Sequence, residues 1–418
     1  MRILYVAADN PAVDTILSGM NSETLGGLPA FYYPFKMLLE RGHIIDLLLY
    51  TAEERTVVES EHFKTENLIQ IHSGSKVLPG SVDYMLQLLL TTRKQLKLQQ
   101  YDFVYGMGEG SHFAVWEAAR RGIPCGLRQF GTQEMANVLE PVRSMTKRRL
   151  KALKDYTYIT LSMISRKNFL LATNDGSRAD ELYDILGIRK KKFPFFFWRS
   201  GVYIPETQPI VDFEKTGDYP WTYDPMALSM INRIADVKRQ DRAARILGEL
   251  HKRGYPFHLY LVGTVDSMDM LNATMAIAEE YGIKEYIHVE GGKTQSECRR
   301  YARNSFATLL PCEWNRVNVL YEVMGEGSVV ITNDNHSIDE FIENGVNCLV
   351  YEEDQYAQAA DKIIALINDP DRIKGLRTAA YHTAITKFLS LEKRFGLEAK
   401  LVEDAARGDK LAGYPLIL

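Results

Sequence analysis

Asn318-Val-Leu-Tyr-Glu322-Val-Met-Gly-Glu-Gly327, continuing as Ser-Val-Val-Ile-Thr-Asn333, decides the fold class. An acidic residue, Glu322, opens a helix behind a polar loop; the helix stops at Gly327 and a short apolar strand succeeds it. In an α/β sheet this geometry sets free backbone N–H groups and a carboxylate beside the carboxyl ends of the strands, where such folds bind ligands. The carboxylate of Glu322 there accepts hydrogen bonds from the paired hydroxyls of a ribose. The N–H groups of Asn318 and Val319 suit a phosphate. The stretch predicts a site for a nucleotide that carries a sugar.

The same helix-to-strand punctuation recurs outward along the chain. Leu39-Glu-Arg-Gly-His43 precedes Ile-Ile-Asp-Leu-Leu-Leu-Tyr50, Ala119-Arg-Arg-Gly122 precedes Ile-Pro-Cys-Gly-Leu127, and His251-Lys-Arg-Gly254 precedes Phe257-His-Leu-Tyr-Leu-Val-Gly263. A cation in the last turn complements the helix dipole, and a glycine just past the end takes the left-handed conformation. Short apolar strands alternating with such helices predict parallel sheets covered on both faces. Strands are expected near 2–8, 44–50, 102–106, 124–129, 168–173 and 193–198. After a loop rich in Pro, Gly and acidic residues at about 204–224, a second set is expected near 226–232, 257–263, 285–290, 306–311, 328–332 and 347–351. The expected architecture is α/β, with two Rossmann-like doubly wound domains facing a cleft. Their bounds are 1–204 and 205–390, with 391–418 as a C-terminal helix and tail packing back on the first. The stretch 376–407 reads as one unusually long helix that reaches across both domains.

Bulk properties exclude several classes. At 418 residues the chain exceeds the ~250–300 at which a single core stops growing. Its 46% hydrophobic and 25% charged residues are ordinary for a globular protein, and a net charge of −4 implies no general attraction to nucleic acid. No apolar run approaches the roughly 18 residues that span a bilayer. The opening Met-Arg-Ile-Leu-Tyr-Val-Ala-Ala reads as a first buried strand rather than a signal peptide. Four scattered cysteines have neither metal-ligand nor disulfide-framework spacing, and nine histidines form no paired motif. The expectations are a cytoplasmic protein with no metal and no cofactor, with the inner membrane face as an alternative place of contact.

Asn232-Arg233-Ile-Ala-Asp-Val-Lys238 comes directly after the first strand of the second domain. Two cations five residues apart at a strand's carboxyl end can clamp a diphosphate, Arg as a fork and Lys as a point charge. The plain alternative is a solvated basic turn; beside the Glu322 loop, the clamp is preferred. Gly26-Gly27, before a helix through Pro29–Arg41, allows close backbone approach to a ligand or is no more than a flexible loop end. Gly106-Met-Gly-Glu-Gly110 lacks a dinucleotide fingerprint's third glycine and reads as a tight strand-to-helix turn. Two basic stretches, Arg143 to Lys154 with interleaved leucines and Arg189 to Arg199 with aromatics, could touch an anionic membrane or an acidic acceptor. The plainer account, a solvated helix face and a buried strand entered through lysines, is preferred.

Together these pieces resemble the retaining glycosyltransferases of family 4, with the two-domain GT-B architecture of the glycogen synthase and phosphatidylinositol mannosyltransferase superfamily. Gly26-Gly27 is similar to that family's N-terminal glycine loop, and Arg199-Ser-Gly-Val-Tyr203 to the segment closing its first domain. Arg233 and Lys238 are similar to the pair that holds the donor diphosphate. Asn318-Val-Leu-Tyr-Glu322 is similar to the second half of a paired-glutamate motif. Ile331 to Asn347 is similar to the strand, loop and helix that succeed that motif. The resemblance implies transfer of a sugar from a nucleotide-diphosphate donor, a UDP-sugar foremost, to an unidentified acceptor with retention of configuration. Two departures stand out. The family's first glutamate lies eight positions before the second; here that position is Trp314, and Glu313 lies nine before Glu322. Where the family carries His-Gly, this chain has Phe130-Gly131, so that Arg128, Gln129 or Thr132 would have to substitute. Two alternatives stand beside this: a nucleotide-sugar epimerase on the same scaffold, for which Phe130 offers no acid/base group, and a non-catalytic partner of a glycosylation complex, to which the departures point.

Overall fold

A computed structural model describes residues 1–18, 29–72, 80–130, 132–174, 178–187, 193–215, 217–313, 318–335 and 340–418. The chain divides into two compact units, Met1–Ser200 with Glu392–Leu418, and Gly201–Leu391. Unit 1 holds β1 (Arg2–Ala8), β2 (Ile44–Thr51), β3 (Leu68–His72), β4 (Phe103–Met107), β5 (Cys125–Gln129), β6 (Phe169–Thr173) and β7 (Phe195–Trp198). All are parallel, in the order β3-β2-β1-β4-β5-β6-β7. Unit 2 holds β8 (Asp224–Ile231), β9 (His258–Val262), β10 (Ile287–Gly291), β11 (Ser305–Leu310), β12 (Val330–Asp334) and β13 (Leu349–Glu352). These are also parallel, ordered β10-β9-β8-β11-β12-β13. Each sheet therefore runs outward from its first strand, returns past it and runs outward the other way, the doubly wound arrangement.

The continuous apolar strands result from burial on both faces. Ile3, Tyr5 and Ala7 of β1 enter one core cluster of unit 1, and Leu4 and Val6 enter another on the opposite face. The turn at Gly106–Gly110 is structural: a Cβ at Gly106 would lie 2.8 Å from the side chains of both Leu127 and Val115.

Two sequence expectations need correction. β3 was not anticipated, because Leu-Ile-Gln-Ile-His is a short edge strand, mostly half-buried and broken by polar Gln70, rather than a continuous apolar run. The single helix over 376–407 is two, Pro370–Lys387 in unit 2 and Leu391–Arg407 in unit 1. The break comes at Phe388, which is extended (φ −122°, ψ 151°) and stacks on Tyr321 at 4.0 Å. Beside it, Val202 donates its N–H to the carbonyl of Leu389 (3.1 Å) and accepts from Leu391 N–H (3.0 Å). Strand-like pairing and an aromatic contact replace the helical hydrogen bonds that the sequence alone would have continued.

Candidate functional site

In unit 2 the chain leaves β8 toward β9 and returns to β11 on the other side, so the carboxyl ends of β8 and β11 flank the topological switch point. The loop after β8, Asn232 to Arg239, is compact because Gln240 reaches back into it. Its Nε2 donates to the carbonyl of Arg233 (2.9 Å), and its Oε1 accepts from Ala235 N–H (3.4 Å). The loop also lies against the turn after β9. A Cβ on Gly263 (φ +153°) would meet the Asn232 carbonyl oxygen at 2.2 Å, so only glycine fits there.

The end of β11 is tied to its neighbours through the backbone of Glu313. Glu313 N–H donates to the carbonyl of Val237 (3.1 Å), while Asn335 beyond β12 donates to the carbonyls of Cys312 (3.3 Å) and Glu313 (3.2 Å). Three strand-end loops thus converge on Glu313, whose carboxylate lies 3.6 Å from Arg239 Nη1. Arg239 is in the left-handed region (φ 60°) and is also held by Asp241 at 2.8 and 2.9 Å.

Arg233 and Lys238 both sit on the loop after β8, where the sequence put them, but their states differ. Arg233 is exposed and ion-paired with Asp266. Lys238 is half-buried, and its ammonium has no hydrogen-bond or ion-pair partner among the described residues.

The helix carrying Asn318 and Val319 runs Asn318–Gly325. Glu322 therefore lies a full turn inside it and does not open it; buried Leu320 and Tyr321 pack the preceding turn into the core. The Glu322 carboxyl is half-buried and makes no hydrogen bond among the described residues. Burial pushes it above the usual carboxylate range; Arg299 opposes this and Glu326 adds to it. Glu326, one turn on, is buried; its Oε2 accepts from Arg303 Nε at 3.0 Å, and its Oε1 has no hydrogen-bond partner among the described residues. Arg299 stacks on Tyr203 at 4.0 Å. Neither Arg239 nor Arg299 was singled out from sequence. Arg239 stands next to Lys238, but only the fold shows that it reaches Glu313.

Gly26, Gly27 and Trp314 lie outside the described residues, as do Gly131 and residues 189–192 of the second basic stretch. The substitutes considered for the missing histidine are all buried. Arg128 is fully buried in unit 1, ion-paired with Glu398 and 3.2 Å from Thr173 Oγ1. Gln129 is buried and accepts from Ser162 Oγ (3.1 Å), and Thr132 is buried as well. No group of three or more His, Cys, Asp or Glu that could hold a metal occurs among the described residues.

Two doubly wound parallel sheets, each with its strand ends at a switch point, define the architecture. This is the GT-B fold. Residues 217–383, all within unit 2, match the family described as glycosyl transferases group 1. Among solved structures the chain is similar to sucrose-phosphate synthase from Thermosynechococcus elongatus (TM-score 0.68, 12% identity, 97% of this chain and 99% of that one). It is similar too to a glycosyltransferase from Rickettsia africae (TM-score 0.62, 14% identity, 98% and 99%). HepE from Anabaena, solved in complex with UDP and glucose, superposes at a TM-score of 0.63 with 13% identity over 97% and 100%. No curated protein sequence matches the chain.

Proposed function

We propose that the protein is a retaining hexosyltransferase that uses a nucleotide-diphosphate-sugar donor, a UDP-sugar foremost. The carrying observation is that the side chains of Lys238 and Glu322, at the carboxyl edge of the unit 2 sheet, both lack hydrogen-bond and ion-pair partners among the described residues. A half-buried ammonium and a half-buried carboxylate left open at strand ends suit a phosphate and a pair of hydroxyls. The UDP held by the Anabaena relative makes uridine the first base to test.

In this reading Lys238 and Arg233 take up the charge that builds on the departing diphosphate, helped by the N–H groups of Asn318 and Val319. Glu322 holds the ribose. Glu313 or Trp314 faces the sugar. The acceptor hydroxyl attacks the anomeric carbon from the face the diphosphate leaves. As the new C–O bond forms and the old one breaks, the hydroxyl proton passes to the leaving phosphate oxygen. Side-chain cations neutralise the phosphates, so turnover needs no divalent metal.

The test is a thermal-shift screen over UDP-, GDP- and ADP-sugars, since a ligand that binds only the folded state raises the melting point. Release of nucleoside diphosphate with candidate acceptors is measured next, then the anomeric configuration of the product. A donor that raises the melting point, with acceptor-dependent release, is the expected result. No stabilisation by any donor rejects the reading; binding without turnover favours a non-catalytic partner.

A further inference from the structure

We propose that unit 1 docks on an anionic membrane surface through the helix Met145–Asp155. Between Arg143 and Asp155 the chain carries six cations and a single acid, Asp155. Two of them are engaged within the protein: Arg148 donates to the carbonyls of Val142 and Glu140, and Lys151 pairs with Asp155 at 2.9 Å. Arg143, Lys147, Arg149 and Lys154 are exposed and form no ion pair among the described residues.

Apolar side chains stand between these cations where a solvated helix would carry polar ones. Leu150 is 64% exposed, Met145 44% and Leu153 42%, while Ala152 is the buried residue with which the helix packs on the core. Charge alone would suit any polyanion. Leucines displayed among unpaired cations suit an interface that is anionic outside and hydrocarbon beneath, which is the chemistry of a lipid surface. No helix among the described residues is long and apolar enough to cross a membrane, so the contact would be peripheral.

The inference rests on the surface of unit 1 and does not depend on the transfer reaction. Taken with that reaction, it points to an acceptor presented at a membrane. Vesicle binding and sugar transfer are separate readouts, so either can fail alone.

The experiment is cosedimentation of the full chain with phosphatidylcholine vesicles, with and without phosphatidylglycerol, at low and high salt. Binding should require the anionic lipid and be reversed by salt. Lys147→Glu with Lys154→Glu should lower partitioning by roughly 25-fold or more. Leu150→Ser with Leu153→Ser should lower it by roughly ten-fold. All four positions are exposed, so melting temperatures should not change. Absence of binding at low salt, or equal binding to neutral vesicles, overturns the proposal. So does binding that responds to the charge reversals but not to the leucine changes, which would mark the helix as a site for a soluble polyanion.

Discussion

At the scale of single residues, burial and partner count separate ligand-ready groups from structural ones. Arg233 and Lys238 are predicted to be needed for transfer and dispensable for folding, because neither is buried. Replacing either with Ala should raise the barrier by about 2.7–4 kcal/mol, the cost of losing one donor to developing charge. Transfer rates within a few-fold of the parent in both variants, with melting unchanged, would reject the clamp. Glu322 makes a sharper case. Its folded-state pKa lies above the unfolded one, so its ionisation costs stability as pH rises through the folded value. Glu322→Gln should therefore leave the melting temperature equal or higher near neutrality while donor affinity falls sharply. Hydroxyls donate to the ionised form, so parental affinity should decline as pH drops through the raised pKa, and the Gln variant should lose that limb. A lower melting point with unchanged affinity would make Glu322 a packing residue. The pair Glu313→Gln and Trp314→Ala decides the register of the departed motif: the one facing the sugar should alter sugar selection more than nucleoside diphosphate binding. These residue types were legible in sequence. The Arg233–Asp266 and Arg239–Glu313 pairs were not, since both depend on strand-end loops that only the sheet brings together.

At the scale of elements, the helix Leu391–Arg407 is held to the unit 1 sheet by charge inside the core. Glu398 is fully buried between Arg128 and Arg394, the latter at 2.9 Å, and accepts from Tyr105 OH at 2.6 Å. Burial opposes its ionisation, yet the two guanidinia hold it below the usual carboxylate range. Burial also lowers Arg394 to about 10. Glu398→Gln should leave two desolvated guanidinia without a counter-ion and cost about 3–5 kcal/mol, seen as a large fall in denaturation midpoint. A change under about 1 kcal/mol would mean that the pair is offset elsewhere. With a depressed folded pKa, the stabilisation from Glu398 is present above its unfolded pKa and is lost as pH falls through the folded value. The residues of this helix show its helical character but not its separation from the one before. Nothing local distinguishes Phe388 from a helical residue until it meets Tyr321.

At the scale of the whole molecule, the proposed reaction neutralises phosphate charge with side chains, so chelation by EDTA should leave turnover nearly unchanged. Activity that vanishes with the chelator and returns with magnesium or manganese would contradict that scheme. The sequence by itself determined the α/β class, the two-sheet organisation and twelve of the strands. Parallel strands buried on both faces must be continuous apolar runs, and that signal is local. It also determined which loops carry cations and acids, because residue type at a strand end needs no long-range information. Only the tertiary structure decided which of those groups are free. Arg128, a candidate ligand contact by position, meets Glu398 from 270 residues away and becomes part of the core. The edge strand β3 exists because β2 offers it hydrogen bonds, not because its own residues insist on it. Partnering at such separations is set by how the sheets close. A chain read in order cannot show it.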